Sequence, residues 1–186
     1  AATFIYTGPA TTTAFSFKPE CLAPTILNNG GGAVTFSAGV FNTAYGAPAS
    51  ATPQRLTLGG SNDIAIAGVI RDATAGAYVT GLVKTNGNTL TLSGNNTYSG
   101  ATTVSAGTLM GVTGGSCSNS AVTVEAAPGQ EAVLGVSVGD KARPWTCASL
   151  TVNSGGLGAG LRFNFGTLTP SAAVAPLKVR DRKSVV

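Results

Sequence analysis

The sequence predicts an all-β chain folded as a right-handed parallel β-helix, and three observations carry that expectation. Helical periodicity is missing: no window repeats apolar residues at three- and four-residue spacing past two turns before Gly or Pro interrupts it. Short runs of alternating apolar and polar residues recur instead, each bounded by turn residues. Composition is the third. Charged residues make up 10% of the chain, against roughly 25% in typical globular proteins. Gly, Thr, Ser, Asn and Ala take their place, a polar but uncharged surface commoner in secreted all-β proteins than in cytosolic enzymes.

In chain order the alternating runs are AVTF (Ala33–Phe36), RLTL (Arg55–Leu58), DIAIAGVI (Asp63–Ile70), TLTL (Thr89–Leu92) and ATTV (Ala101–Val104). AVTVE (Ala121–Glu125), AVLGVSV (Ala132–Val138), SLTV (Ser149–Val152) and LRFNF (Leu161–Phe165) follow. Such short strands do not suit a sandwich, whose two sheets must each span the core. They suit a solenoid, in which each rung contributes two or three short strands. Small residues and Asn fit its corners, and inward Val, Leu, Ile, Phe and Thr stack on their equivalents one rung away. Residues 55–180 are expected to form rungs. Residues 1–54 show no rung rhythm and are expected as irregular N-terminal rungs or an inserted loop. The 186 residues suffice for one domain, and apolar residues recurring in register argue against disorder.

Neither end has the character of a natural terminus. The chain opens at Ala1 with no leader, which says nothing about location. The hexapeptide DRKSVV (Asp181–Val186) breaks with everything before it and resembles a translated sequencing adapter, so residues 181–186 are expected to be a non-native tail. No run approaches the ~18 apolar residues of a membrane-spanning helix.

The most sharply patterned stretch is TLTLSGNNTYSGATTVSAGTL (Thr89–Leu109), which contains no acid, base, His or Cys. LTL reads as one strand, SGNNTYSG as a corner with Tyr98 its only bulky residue, TTV as a second strand, and TL as the start of a third. The enclosing segment Gly81–Gly111 resembles the autotransporter-associated β-strand repeat. Lys84, Leu90, Leu92, Gly94, Asn96, Thr97, Tyr98, Gly100, Thr102, Thr103, Val104, Gly107, Thr108 and Leu109 fall on its pattern. Asn88 stands where the repeat usually has Gly, a change confined to a corner. The resemblance covers about a sixth of the chain. Residues 56–85 look like the rung that precedes such repeats, and residues 121–138 and 149–179 like degenerate rungs that follow.

The resemblance implies a structural segment of a secreted or surface-displayed bacterial passenger protein. It implies a place at the cell surface of a Gram-negative-type bacterium, associated with the outer membrane. There the segment would support stalk formation and folding during export, with neighbouring rungs of the same longer chain as its partners. Two other readings stay open. One is an adhesin or glycan-binding module that meets host or matrix glycans or proteins, with Tyr45, Tyr78, Tyr98 and Trp145 landing on one side. The other is a polysaccharide-degrading β-helix enzyme, which needs at least two carboxylates clustered near Arg or Lys.

Reactive chemistry is sparse. With no His, the commonest general base and metal ligand are missing, and three Cys without His do not make a standard zinc site. The acids Glu20, Asp63, Asp72, Glu125, Glu131, Asp140 and Asp181 show no spacing that stacks a pair, so no catalytic, cofactor or metal residue is assigned. The formal charge of +4 is scattered, with Lys178, Arg180, Arg182 and Lys183 near the end. A nucleic-acid partner is not expected, because no basic face carries interleaved aromatics. Asn95-Asn96-Thr97 is formally a glycosylation sequon but reads better as a corner, where Asn tolerates left-handed geometry. Trp145, beside Pro144, reads as a loop anchor.

Cys117 and Cys147 each precede a strand by a few residues, at matching positions on different rungs. A disulfide between them is the first expectation, placing the chain in an oxidising, extracytoplasmic setting. Two buried free thiols are the other. Cys21 is left unpaired.

Overall fold

In the computed structural model, which describes residues 2–18, 21–42, 54–73, 79–140, 142–170 and 175–181, parallel strands stack as a β-solenoid of about six turns. No helix occurs among the described residues. Two long sheets run along the axis, and every strand pairing in them is parallel.

The first sheet stacks eight strands. These are β1 (Thr3–Tyr6), β3 (Thr25–Asn28), β6 (Gln54–Gly60), β9 (Thr80–Lys84), β11 (Thr102–Val104), β13 (Ser116–Glu125), β15 (Trp145–Asn153) and β17 (Leu177–Val179). The second stacks β2 (Thr11–Thr13), β4 (Val34–Phe36), β7 (Ile64–Ile66), β10 (Thr89–Leu92), β12 (Gly107–Val112), β14 (Glu131–Ser137) and β16 (Gly158–Asn164). A shorter third face pairs β5 (Val40–Phe41) with β8 (Val69–Ile70).

Alternation explains why these residues form strands. In β10 the pattern TLTL puts Leu90 and Leu92 inside, fully buried, with Thr91 between them half-exposed. Stacking then repeats each inward position from rung to rung. Val34, Ile64, Leu90, Leu109 and Leu134 form one ladder of the second sheet. In the first sheet Leu56, Leu82, Thr102, Val122 and Leu150 form another. No rung encloses its apolar face alone, so the core is one continuous column.

Several expectations are refined by these pairings. The run Asp63–Ile70 is two strands, β7 and β8, divided by a corner at Ala67 and Gly68. Residues 1–42, where no rung rhythm was legible, contain β1 to β5 in register with later rungs, for example Thr3 opposite Thr25 and Thr11 opposite Val34. The stretch 43–53 lies outside the described residues. Trp145 is no loop anchor: it opens β15 and is completely buried.

That burial has a structural partner. Gly111 holds a ladder position that β7 fills with Ile66 and β14 with Val136. A Cβ at Gly111 would lie 2.6 Å from the Trp145 indole. The missing side chain is the space that the indole occupies, a volume exchange across rungs of the close-packed interior.

Candidate functional site

The repeat segment is a set of corners in which buried polar side chains tie one rung to the next. Lys84 is the clearest case. Its ladder runs Ile26, Leu58, Lys84, Val104, Val124, so an ammonium group enters a column of aliphatic side chains. The residue is fully buried. Nζ donates to the carbonyls of Thr85 and Asn86, both at 2.7 Å, to Asn88 Oδ1 at 2.9 Å and to the Ala106 carbonyl at 3.1 Å. An ammonium has three N–H donors and no acceptor, so this cage of oxygens consumes its whole donor capacity. Burial pulls the amine down from its ordinary 10.5 to about 8, and the Asp63 carboxylate opposes that shift.

Asn88, the position where a Gly was expected, is part of this cage rather than a neutral replacement. Its Oδ1 faces Lys84, and its Nδ2 donates 2.8 Å to the carbonyl of Asn62 on the preceding rung.

Asn96 does the same work at the next corner. Its Oδ1 accepts from Ile70 N at 2.9 Å, and its Nδ2 donates to the carbonyls of Gly94 and Ser116, both at 3.0 Å. One amide thus joins the rung before, its own rung and the rung after. The neighbouring Thr97 is exposed and donates its backbone N–H to Ile70 O. The sequon is a corner.

Tyr98, the one bulky residue of its corner, points inward and is fully buried. Its hydroxyl shares a 2.6 Å hydrogen bond with Thr102 Oγ1, which lies 2.8 Å from Ser120 Oγ, which donates 2.7 Å to Gly100 O. Burial pushes the phenol well above its ordinary value. A satisfied buried chain of this kind specifies one packing.

The motif glycines have a shared cause. At Gly94 and at Gly100 a Cβ would run into the carbonyl of the rung beneath, Gly68 O and Thr80 O respectively. The apolar motif positions Leu90, Leu92, Val104 and Leu109 are all buried, and Thr103 sits between Val83 and Thr123 on the outer face of its sheet.

The carboxylates are spread along the axis; Asp63, Asp72 and Glu125 act as clips between rungs, and Asp140 closes its own loop. Asp63 Oδ1 accepts from Thr89 N at 2.7 Å. Asp72 accepts from Thr80 N and from both the N–H and the hydroxyl of Ser99. Glu125 takes a hydrogen bond from Asn153 Nδ2, and Asp140 pairs with Arg143 at 2.7 Å. That partner holds the Asp140 carboxyl below its ordinary value. Among the described residues no group of three His, Cys, Asp or Glu could hold a metal ion.

Spacing alone did not reveal these clips. A signal was present all the same: Asp63 to Thr89 and Asn62 to Asn88 are each one rung apart in a ladder where Ile64 faces Leu90.

Of the four aromatics named for a binding face, the two that are described are not available to it. Tyr98 and Trp145 both point into the core, and Tyr45 and Tyr78 lie outside the described residues. Cys117 and Cys147 are direct register partners on β13 and β15, both buried, and both free thiols in this structure. Burial pushes Cys117 up to about 12 and Cys147 up to about 11.

Residues 82–110 match the family model of the passenger-associated-transport-repeat. No curated protein and no solved structure matches the chain. The matched span opens beside Lys84 and its oxygen cage, runs through the Asn96 and Tyr98 corner, and ends at β12. Residues 82–110 are thus, by sequence and by rung geometry together, a passenger-associated-transport-repeat built into a β-solenoid.

Proposed function

We propose that this chain is a structural segment of a secreted or surface-displayed bacterial passenger protein, supporting a stalk and assisting folding during export across the outer membrane. The observation that carries the reading is the way polar side chains of residues 82–110 bind forward and backward along the axis. Asn96 reaches Ile70 behind and Ser116 ahead, and Lys84 reaches Ala106. Each rung offers a finished template to the next, so folding proceeds along the chain as it emerges, without a distant partner. In this reading the segment acts without catalysis, with Asp63 and Asp72 engaged by backbone N–H groups of the following rung. In the oxidising space outside the cytoplasm, Cys117 and Cys147 close as a bridge between adjacent rungs.

The test is export. Placed ahead of an outer-membrane barrel, the wild-type segment should reach the cell surface in a protease-resistant form. Asn96→Asp, which turns a donor toward Ser116 O into an acceptor, should lower that surface fraction severalfold. Equal surface yields, with the variant measurably less stable in vitro, would remove the role in export.

A further inference from the structure

The exposed side of the solenoid carries a groove of about 480 Å³. Its floor is a file of outward side chains in register over four rungs: Asn95 opposite Ser116, Ser116 opposite Thr146, Thr146 opposite Lys178. Adjacent parallel strands repeat every ~4.8 Å, so the file presents an amide, two hydroxyls and an ammonium at that interval. Arg143 and Arg180 also line it, both exposed; Arg143 is paired with Asp140, and among the described lining residues none is acidic. The Lys178 side chain makes no hydrogen bond or ion pair with a described residue. Arg180 is turned toward the groove by long contacts from Nη1 to Ser118 O and Asn119 Oδ1.

We infer that this groove binds an anionic polysaccharide of the uronic acid class, laid along the solenoid axis. A pyranose chain offers hydroxyls and a carboxylate on each unit and advances by about one strand spacing per ring. The amide and hydroxyls meet the sugar hydroxyls, and the two guanidinium groups and the ammonium meet the carboxylates. Charge-assisted hydrogen bonds are the stronger contribution.

Other acidic polymers fit the groove less well. A peptide adding as a strand needs a free sheet edge, which the file offers only at β17, whereas β13 and β15 beneath it are paired on both sides. A single-stranded nucleic acid needs aromatic platforms for its bases, and the described lining residues include none. The site shares Asn95 with a repeat corner, but its charged groups Arg143, Lys178 and Arg180 lie outside residues 82–110, and it does not depend on the role in export.

Titration of the folded chain with an oligogalacturonate, followed by calorimetry at low and moderate salt, tests the assignment. Binding that weakens with salt is expected, at least about tenfold stronger than to the methyl-esterified form of the same oligomer or to poly-glutamate. The double variant Arg143→Gln, Lys178→Gln should lose about tenfold in affinity with unchanged circular dichroism. Lys178→Glu, which disturbs no described side-chain partner, should lose as much by itself. No binding, equal binding of the ester or of poly-glutamate, or an affinity untouched by Lys178→Glu would each overturn the proposal.

Discussion

Lys84 Nζ lies 2.9 Å from Asn88 Oδ1 inside the solenoid, at a ladder position that Leu58 fills one rung before and Val104 one rung after. A charge in an aliphatic column is stable there because corner carbonyls and the Asn88 amide replace its water. The same contact explains why residue 88 is worth more as Asn than as a bare corner.

Removing that charge should unfasten the corner. Lys84→Met keeps the apolar stem but leaves Asn88 Oδ1 and its carbonyl neighbours without a donor, at a cost of about 2–3 kcal/mol in chemical denaturation. The gap should also depend on pH. Lys84 sits at about 8 in the folded chain against 10.5 when free, so between those values the unfolded state holds more protons. Wild-type stability relative to Lys84→Met therefore rises with pH through that window. A gap that stays flat from pH 7.5 to 10 would contradict this.

Asn96 should be intolerant of both shape and charge change. Asn96→Ala leaves Ile70 N without an acceptor and takes the side-chain donor from the carbonyls of Gly94 and Ser116, for a loss of about 1–3 kcal/mol. Asn96→Asp should cost at least as much, because a carboxylate then faces the carbonyls of Gly94 and Ser116. Thermal melting of the pair decides it: an Asp variant as stable as wild type would show that the donors are dispensable.

Gly111 and Trp145 should be coupled. Gly111→Ala drives a methyl into the indole and should cost about 1–3 kcal/mol by overpacking. Trp145→Leu opens a cavity and is costly alone. Together the changes should be less harmful than their sum, by about 1 kcal/mol or more in a double-mutant cycle. Strict additivity would mean that the two side chains do not share the space.

The thiols give a second dependence on pH. Cys117 is pushed up to about 12 from 9.0 and Cys147 to about 11, so the reduced folded chain holds protons that the unfolded chain releases above 9. Their stabilisation is complete below pH 9 and is lost as pH rises toward 11–12, with a limiting slope of about 1.4 kcal/mol per pH unit for Cys117. Cys117→Ala, Cys147→Ala should flatten that loss. Protein recovered from outside the cytoplasm should show one labelled thiol, Cys21, before reduction and three after. Three before reduction would rule out the bridge.

Much of the fold was legible because a solenoid is written locally. Alternation in TLTL and AVTVE is enough to state which side faces inward, and β10 and the second half of β13 follow it. Residues 1–42 were harder to read because their strands are as short as two or three residues and their partners lie 22 to 32 residues away, as Thr3 to Thr25 and Thr25 to Thr57 show. The short start of β13, SCS, carries too few side chains to display a period. It pairs with β15 on one side and bridges Asn95 on the other, partners set by the register between rungs.

Sequence by itself determined the class of fold, the repeat and the inward apolar positions, because these depend on spacing within one rung. Tertiary structure alone decided what the polar residues do. Whether Asn88 is a corner or a cage, whether Tyr98 and Trp145 face solvent or core, and which carboxylates clip which backbones depend on the register between rungs. That register is set by stacking, and stacking exists only once the neighbouring rung is in place.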